Sequence, residues 1–455
     1  MIERFTVPEE LTCYYDRKCE PANVHLEARI AGRLDEAAVR AALRAVLASE
    51  PRLLTRRVLA RNWQRSYFWE FPVTLGADPL LAVTYADQAG LDRQRDAFLS
   101  DSPPLGVAPP LLFLLASGPG GDWLILNAHH ACFDGLSCLR LLRHVAVEYG
   151  TRVANTNSAA DTGPVATAGL AADVGPVAPT DSASAGKTRA AAKNGHDVRQ
   201  RPAKSRRPRA AIIARIAPGR GGASALPGYG AHLLTWDGLA VTDSLRPAGA
   251  SLNDLLIVAL MITIRDWNES RGARRDLIRI TMPVGNMDQA DATGKWANLS
   301  RLTTITARVP ACTQPAELIR DVARQTGYAK QHPGPQVDLA SRALVAAPVP
   351  VAVKRILLRA ALRVAGPLFC DTSLVSNIGV IGELEFGTDQ AAEVWFSTSA
   401  HMPRGLSLGA VTAGGRLRLA FRYRRSLFSS ADAAEFAARY VKVLDEFTGQ
   451  EAARR

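Results

Sequence analysis

Cysteine is scarce. The 455 residues hold six (Cys13, Cys19, Cys132, Cys138, Cys312 and Cys370), none in a CxxC pair. Thiols this sparse exclude a disulfide framework and a zinc ribbon, and they read as reduced core or site-wall residues of a cytoplasmic protein. Long apolar runs are lacking as well: the longest, such as Leu255–Ile264, have the length of a buried helix and fall short of a bilayer crossing. Residues 1–20 mix acidic, basic and apolar side chains and contain no signal-like apolar stretch. No solenoid-length repeat stands out. What the chain does have is apolar material for sizeable cores, 47% of its residues, and a length that suits two large lobes with connections.

Excess positive charge is missing from most of the chain. The formal net charge is +12, yet Lys187–Arg220 alone carries eleven Lys or Arg against the single acid Asp197. That stretch is net +10 and leaves +2 for everything else, so no basic nucleic-acid-binding face is expected on the folded lobes. Residues 151–210 are rich in small and polar residues and lose apolar periodicity, which predicts a disordered linker between a lobe at 1–150 and a lobe at 211–455.

Within the first lobe, Val24, Leu26, Ala28 and Ile30 alternate as in a strand. Asp35 caps a helix whose apolar face is Val39, Leu43, Val46 and Leu47. Two apolar runs, 110–117 and 123–128, flank Gly118–Gly121 as a hairpin. The second run leads into His129-His130-Ala131-Cys132-Phe133-Asp134-Gly135, after which a helix, Leu136–Tyr149, is expected to stop at Gly150. In the second lobe, Ser251–Trp267 reads as a helix, Leu277–Val284 and Leu302–Val309 as strands, and Pro315–Gln325 as a helix. Ser373–Asn377, Trp395–Ser399, Gly405–Thr412 and Arg416–Tyr423 read as strands, the last two joined at Gly414-Gly415, and Ser430–Thr448 as a closing helix.

The histidine run carries the chemistry. A sharp strand-to-helix connection can hold an imidazole rigidly at a cleft, where a neutral ring can take a proton from an alcohol or amine attacking a carbonyl. The Asp four residues on can brace the loop by pairing with a distant base, and the Gly beside it keeps the wall low. Metal binding is disfavoured: adjacent histidines on an extended segment point apart, and no second ligand cluster accompanies them. One GxSxG match, Gly405–Gly409, sits inside a strand that leads to a hairpin, where a nucleophile elbow would lead into a helix.

HHACFDG resembles the HHxxxDG motif of the superfamily that includes chloramphenicol acetyltransferase, nonribosomal-peptide condensation domains, polyketide-associated acyltransferases and wax ester synthases. Gly32–Leu53, Ser251–Trp267 followed by Thr281–Asn286, and Ser373–Gly379 resemble further segments of these proteins in the same order. The resemblance implies an α/β fold of two chloramphenicol-acetyltransferase-like lobes, each a mixed sheet flanked by helices, with an active-site channel between them. It implies His130 as general base, with His129 and Asp134 in support and Gly135 lining the acyl-carrier tunnel. Cys132, Phe133, Ser376 and Asn377 are candidates for the cleft lining. The segment Pro283–Met287 lacks the Arg that many relatives carry there, so Arg17 and Arg279 are the candidate partners of Asp134. The implied donor is acyl-CoA or an acyl-phosphopantetheine on an acyl carrier protein, with no permanently bound cofactor and no metal. The implied acceptor is a small-molecule alcohol, giving an ester in natural-product or lipid biosynthesis; the alternatives are an amine acceptor, giving an amide, or a non-catalytic domain that recruits a partner. No specific nucleic-acid partner is implied.

Overall fold

The computed structural model describes residues 1–18, 20–59, 61, 63–161, 212–221, 228–239, 249–284, 296, 298, 300–332, 334–387 and 391–448. Cys19, Asn286 and Met287, and residues 187–211 of the basic stretch, lie outside the described residues. The first half forms β1 (Ile2–Arg4), α1 (Val7–Tyr15), β2 (Asn23–Ile30), α2 (Glu36–Ser49), β3 (Arg56–Arg57), β4 (Phe68–Glu70), β5 (Leu80–Thr84), α3 (Gln88–Ser100), β6 (Leu111–Gly118), β7 (Gly121–His129) and α4 (Gly135–Asp161). The second half forms β8 (Tyr229–Trp236), α5 (Leu252–Glu269), β9 (Leu277–Val284), β10 (Arg301–Arg308), α6 (Pro315–Gln331), α7 (Leu339–Ala346), α8 (Val351–Phe369), β11 (Ser373–Val380), β12 (Glu393–Thr398), β13 (Leu406–Ala413), β14 (Arg416–Arg424) and α9 (Ser430–Thr448). The described parts of Met1–Ala154 and Ile212–Arg455 pack as one compact unit.

The fold is the expected pair of mixed sheets flanked by helices. One sheet runs β12-β2-β7-β6-β5, the other β10-β9-β11-β13-β14-β8, and a small third sheet is β1-β4-β3. Alternation on β2 puts Val24, Leu26, Ala28 and Ile30 into the first core, as the sequence predicts. Asp35 accepts from the Ala38 amide at 2.6 Å and starts α2, whose predicted apolar face is buried. Ser251 and Asp254 form a capping box at the head of α5. The GxSxG residues run into β13, which turns back at Gly414 and Gly415, both at positive φ, into β14. The strand-and-hairpin context rules out a nucleophile elbow there.

Two boundaries differ from expectation. The helix after the histidine motif does not stop at Gly150 but continues to Asp161. Gly150 is small for another reason: an added Cβ would sit 3.4 Å from the Gly387 backbone, so two glycines let two chain segments touch. The helix at Pro315 continues to Gln331, and α8 has no counterpart among the predicted elements.

The halves are not separable by sequence position. β12, from the second half, pairs antiparallel with β2 from Glu393↔Arg29 to Thr398↔Val24 and so completes the first sheet. It also lies against β13, where a Cβ on Gly409 would fall 1.8 Å from the Phe396 carbonyl oxygen. Gly409→Ala is therefore expected to destabilise the protein by about 3 kcal/mol or more, because backbone on both sides must move. Gly327→Ala, in open space on α6, should be neutral or stabilising by about 0.5–1 kcal/mol. Thermal and denaturant unfolding of the two variants checks both signs.

Candidate active site

β7 is buried along its whole length and delivers the histidines to its end. The His129 amide donates to the Pro110 carbonyl at 3.0 Å and the His130 amide to the Ala22 carbonyl at 2.8 Å, which fixes the backbone on both sides of the pair. The His129 carbonyl then accepts from the Cys132 and Phe133 amides and closes a tight turn. Asp134 ends that turn as the cap of α4: its Oδ1 accepts from the Ser137 amide at 2.9 Å. An Asp at this spacing is thus required by the helix start.

The two histidines separate, as expected of an extended strand end. His129 is buried; its Nδ1 accepts from the Ala131 amide, and its Nε2 lies 3.6 Å from Asp16 Oδ2. His130 is less enclosed and lines a cavity of about 860 Å³. Its Nδ1 is 2.9 Å from the Phe133 carbonyl. A carbonyl only accepts, so Nδ1 carries the proton and Nε2 keeps its lone pair. Burial pushes the imidazole below its ordinary value, and the opposing pull of the Phe133 carbonyl and Asp134 does not restore it. The resting ring is a neutral Nδ1–H tautomer.

The cavity has walls from both halves. Leu11, Thr12 and Tyr15 of α1 stand with His130 and Gly135 on one side; β10, β11 and β12 supply the other. The walls pack closely at Gly135, where a Cβ would lie 2.7 Å from the Phe396 ring and 3.1 Å from Ile378. Ser376 and Asn377 both line the cavity. Asn377 Oδ1 accepts from the Gly379 amide, which leaves its NH₂ as the donor end.

Two expectations need correction. Cys132 and Phe133 do not line the cavity; both are buried in the first core, because the turn directs them away while their backbone holds His130. Neither proposed base pairs with Asp134: Arg17 is bonded to Glu20 at 3.1 Å, and Arg279 lies 3.9 Å from Asp371. Three residues were not anticipated. Asn298 donates from Nδ2 to the His130 carbonyl at 2.9 Å, and Gln336 in turn donates to the Asn298 and Ser300 carbonyls. His401, a second histidine of the lining, is bound through Nε2 to the Glu20 carbonyl, and burial together with the nearby Arg404 pushes it down to about 3. No local periodicity marks these positions. Among the described residues, no group of three His, Cys, Asp or Glu could hold a metal ion.

The two mixed sheets flanked by helices are the two-lobed fold of condensation domains. The first condensation domain of the CDA synthetase matches with a TM-score of 0.61 at 13% identity, over 98% of this chain and 96% of that one. A mutant starter condensation domain of the rhizomide synthetase RzmA, in complex with C8-CoA and Leu-SNAC, matches at 0.56 and 12%, over 97% and 92%. SgcC5 from Streptomyces globisporus matches at 0.56 and 15%, over 98% and 99%. These likenesses show that the chain has the condensation-domain fold. The chain belongs to one family with the uncharacterized protein Rv2305 of Mycobacterium tuberculosis, which is 31% identical over 453 residues, 97% of this chain and 98% of that protein. No family model matches the chain.

The site predicts its own titration. In a ¹⁵N-histidine NMR titration, one imidazole should hold the Nδ1–H form at neutral pH and take its second proton only below the ordinary value near 6.5. His130→Gln should remove that resonance, and Asn298→Ala should shift it.

Proposed function

We propose that this chain is an acyltransferase that moves an acyl group from a CoA or carrier-protein thioester to a hydroxyl acceptor, with His130 as general base. The observation that carries the reading is the imidazole itself: neutral, its proton fixed on Nδ1 by the Phe133 carbonyl, and lining a cavity with walls from both lobes. Nε2 takes the acceptor's proton as its oxygen attacks the thioester carbonyl. The tetrahedral intermediate then loses the thiolate, which recovers that proton, and ester and free thiol leave. Ser376 and the Asn377 amide, on the opposite wall, are suited to donate to the developing oxyanion. His129, Asp134 and Asn298 hold the base in place without touching substrate. The chemistry needs no resident cofactor.

One observation favours a second reading, amide formation: a structural neighbour is in complex with Leu-SNAC, an amine-bearing thioester, together with C8-CoA. Incubation with acyl-CoA and paired alcohol and amine acceptors, followed by mass spectrometry, separates the two products.

His130→Ala should lower the rate of product formation by roughly 10²–10⁴-fold while leaving the melting temperature nearly unchanged. Full retention of activity would sink the mechanism, and a wild type that forms no product with any acceptor would favour a partner-recruiting domain. The pH dependence carries a definite sign. The base is active when unprotonated and its value is lowered, so kcat/KM should hold level from neutral pH down past 6.5 and fall only at more acid pH. A loss already centred at 6.5 or above would mean that another group is the base.

A further inference from the structure

Helix α8 wears its amphipathic pattern inside out. Val351, Lys354 and Leu358 face the protein, with Val351 and Lys354 buried. The opposite stripe, at helical spacing, is apolar and in solvent: Ile356 is 64% exposed, Leu357 50% and Val364 82%. Along its flank run Arg355, Arg359 and Arg363, and the helix contains no Asp or Glu. None of the three arginines makes an ion pair among the described residues; Arg359 donates to the Asp16 carbonyl. Scattered exposed apolar residues are ordinary, but a continuous stripe beside unpaired cations is not.

The surface continues past the head of the helix. The Val351 amide donates to the Gln64 carbonyl at 2.9 Å, and Lys354 Nζ to the Arg65 carbonyl at 2.7 Å, so the loop carrying Trp63 abuts α8. Trp63 is 69% exposed. It shares a groove of about 570 Å³ with Arg4, Arg61 and Arg65, and none of these arginines is ion-paired among the described residues. The nearby acids are already matched: Glu3 binds Arg52, and Glu70 binds Arg56. Apolar side chains, an interfacial tryptophan and uncompensated arginines on one face are the composition of a segment that lies in the headgroup region of an anionic bilayer.

We propose that this face, α8 with the Arg4, Arg61, Trp63 and Arg65 groove, seats the protein on an anionic phospholipid surface. The apolar stripe enters the acyl boundary and the arginine groove takes lipid phosphates. The chain's own basic stretch Lys187–Arg220 has the same sign of charge and does not complement the face. No helix among the described residues is long and apolar enough to cross a membrane, and this mode of binding requires none. The proposal goes beyond the acyl-transfer reading and does not depend on it.

The experiment is flotation of the full chain with phosphatidylcholine vesicles, with and without a third of phosphatidylglycerol. The wild type should float with the anionic vesicles and poorly with the neutral ones. Ile356→Asp with Leu357→Asp should weaken binding about tenfold or more, and Arg61→Glu about fivefold. The milder pair Ile356→Ser and Leu357→Ser, with an unchanged melting curve, guards against loss of fold. Wild-type flotation by the α8 variants would overturn the proposal, leaving binding to Lys187–Arg220. So would a wild-type dimer that the α8 variants dissociate and that ignores vesicles, or an RNA bound through the same residues in preference to lipid.

Discussion

The rest of the molecule depends on where β12 lies. A sheet edge is a row of unpaired amides and carbonyls, and β2 would be such an edge if the first half folded alone. β12 covers it with six register positions supplied by the second half. The same strand carries Phe396, which meets Gly135 beside the histidine turn, and Thr398, whose carbonyl accepts from Ser407 Oγ of β13. Its closeness to β13 is possible only because Gly409 has no side chain. One strand therefore closes one sheet, leans on the other and sets the width of the cavity between them.

Polar groups buried at the same seam make the join specific. Arg422 of β14 is wholly buried and makes no ion pair among the described residues; burial pulls it down to about 10, which still leaves it charged at neutral pH. Its guanidinium donates to Asn23 Oδ1 and to the Leu99 carbonyl at the end of α3, and lies over the Tyr229 ring. A cation at a helix C-terminus is favourably placed, and the side chains of Asn23 and Asn127 satisfy neighbouring carbonyls of that same end. Nearby, buried Glu27 binds Arg95 at 2.6 Å on the face of β2 opposite the first core. Such groups are costly to leave unpaired, so they penalise any other way of docking the two sheets.

The fold was largely legible where burial is one-sided. Val24–Ile30 alternate because one face of β2 looks into the core, and α2 shows its stripe for the same reason. Legibility fails where a residue answers to a distant partner. β12 reads as a strand, but nothing within Glu393–Thr398 says that it belongs to the other half's sheet. Gly150 looks like a stop signal because a glycine needed for contact with Gly387 is indistinguishable in sequence from one that ends a helix. Helix α8 carries no start signal in the sequence: Pro350 precedes it in place of a capping Ser, Thr, Asp or Asn, and no acid sits in its first turn. In the site, the turn from His129 to Gly135 is local and was readable. Asn298 and His401 reach it from segments more than 150 positions away, and Arg17 and Arg279 were assigned to Asp134 with no local cue against it.

This division separates two levels of the site. The base and its tautomer are set by seven consecutive residues: a strand end, a carbonyl three positions on, and a cap that starts the helix. Burial lowers the imidazole's proton affinity, and Arg422 of the second half adds to the same effect. The space in front of it is different, because β10, β11, β12 and the loop through His401 and Arg404 all come from the second half. Substitutions there can change what the cavity accepts without touching the turn that holds His130. Strand β12 is the exception: it belongs to both levels, since Phe396 packs on Gly135 of the turn and lines the cavity at once. A change of substrate made through Phe396 must therefore keep its contact with Gly135, a constraint that residues such as Thr304 or Ser341, in the same lining, do not share.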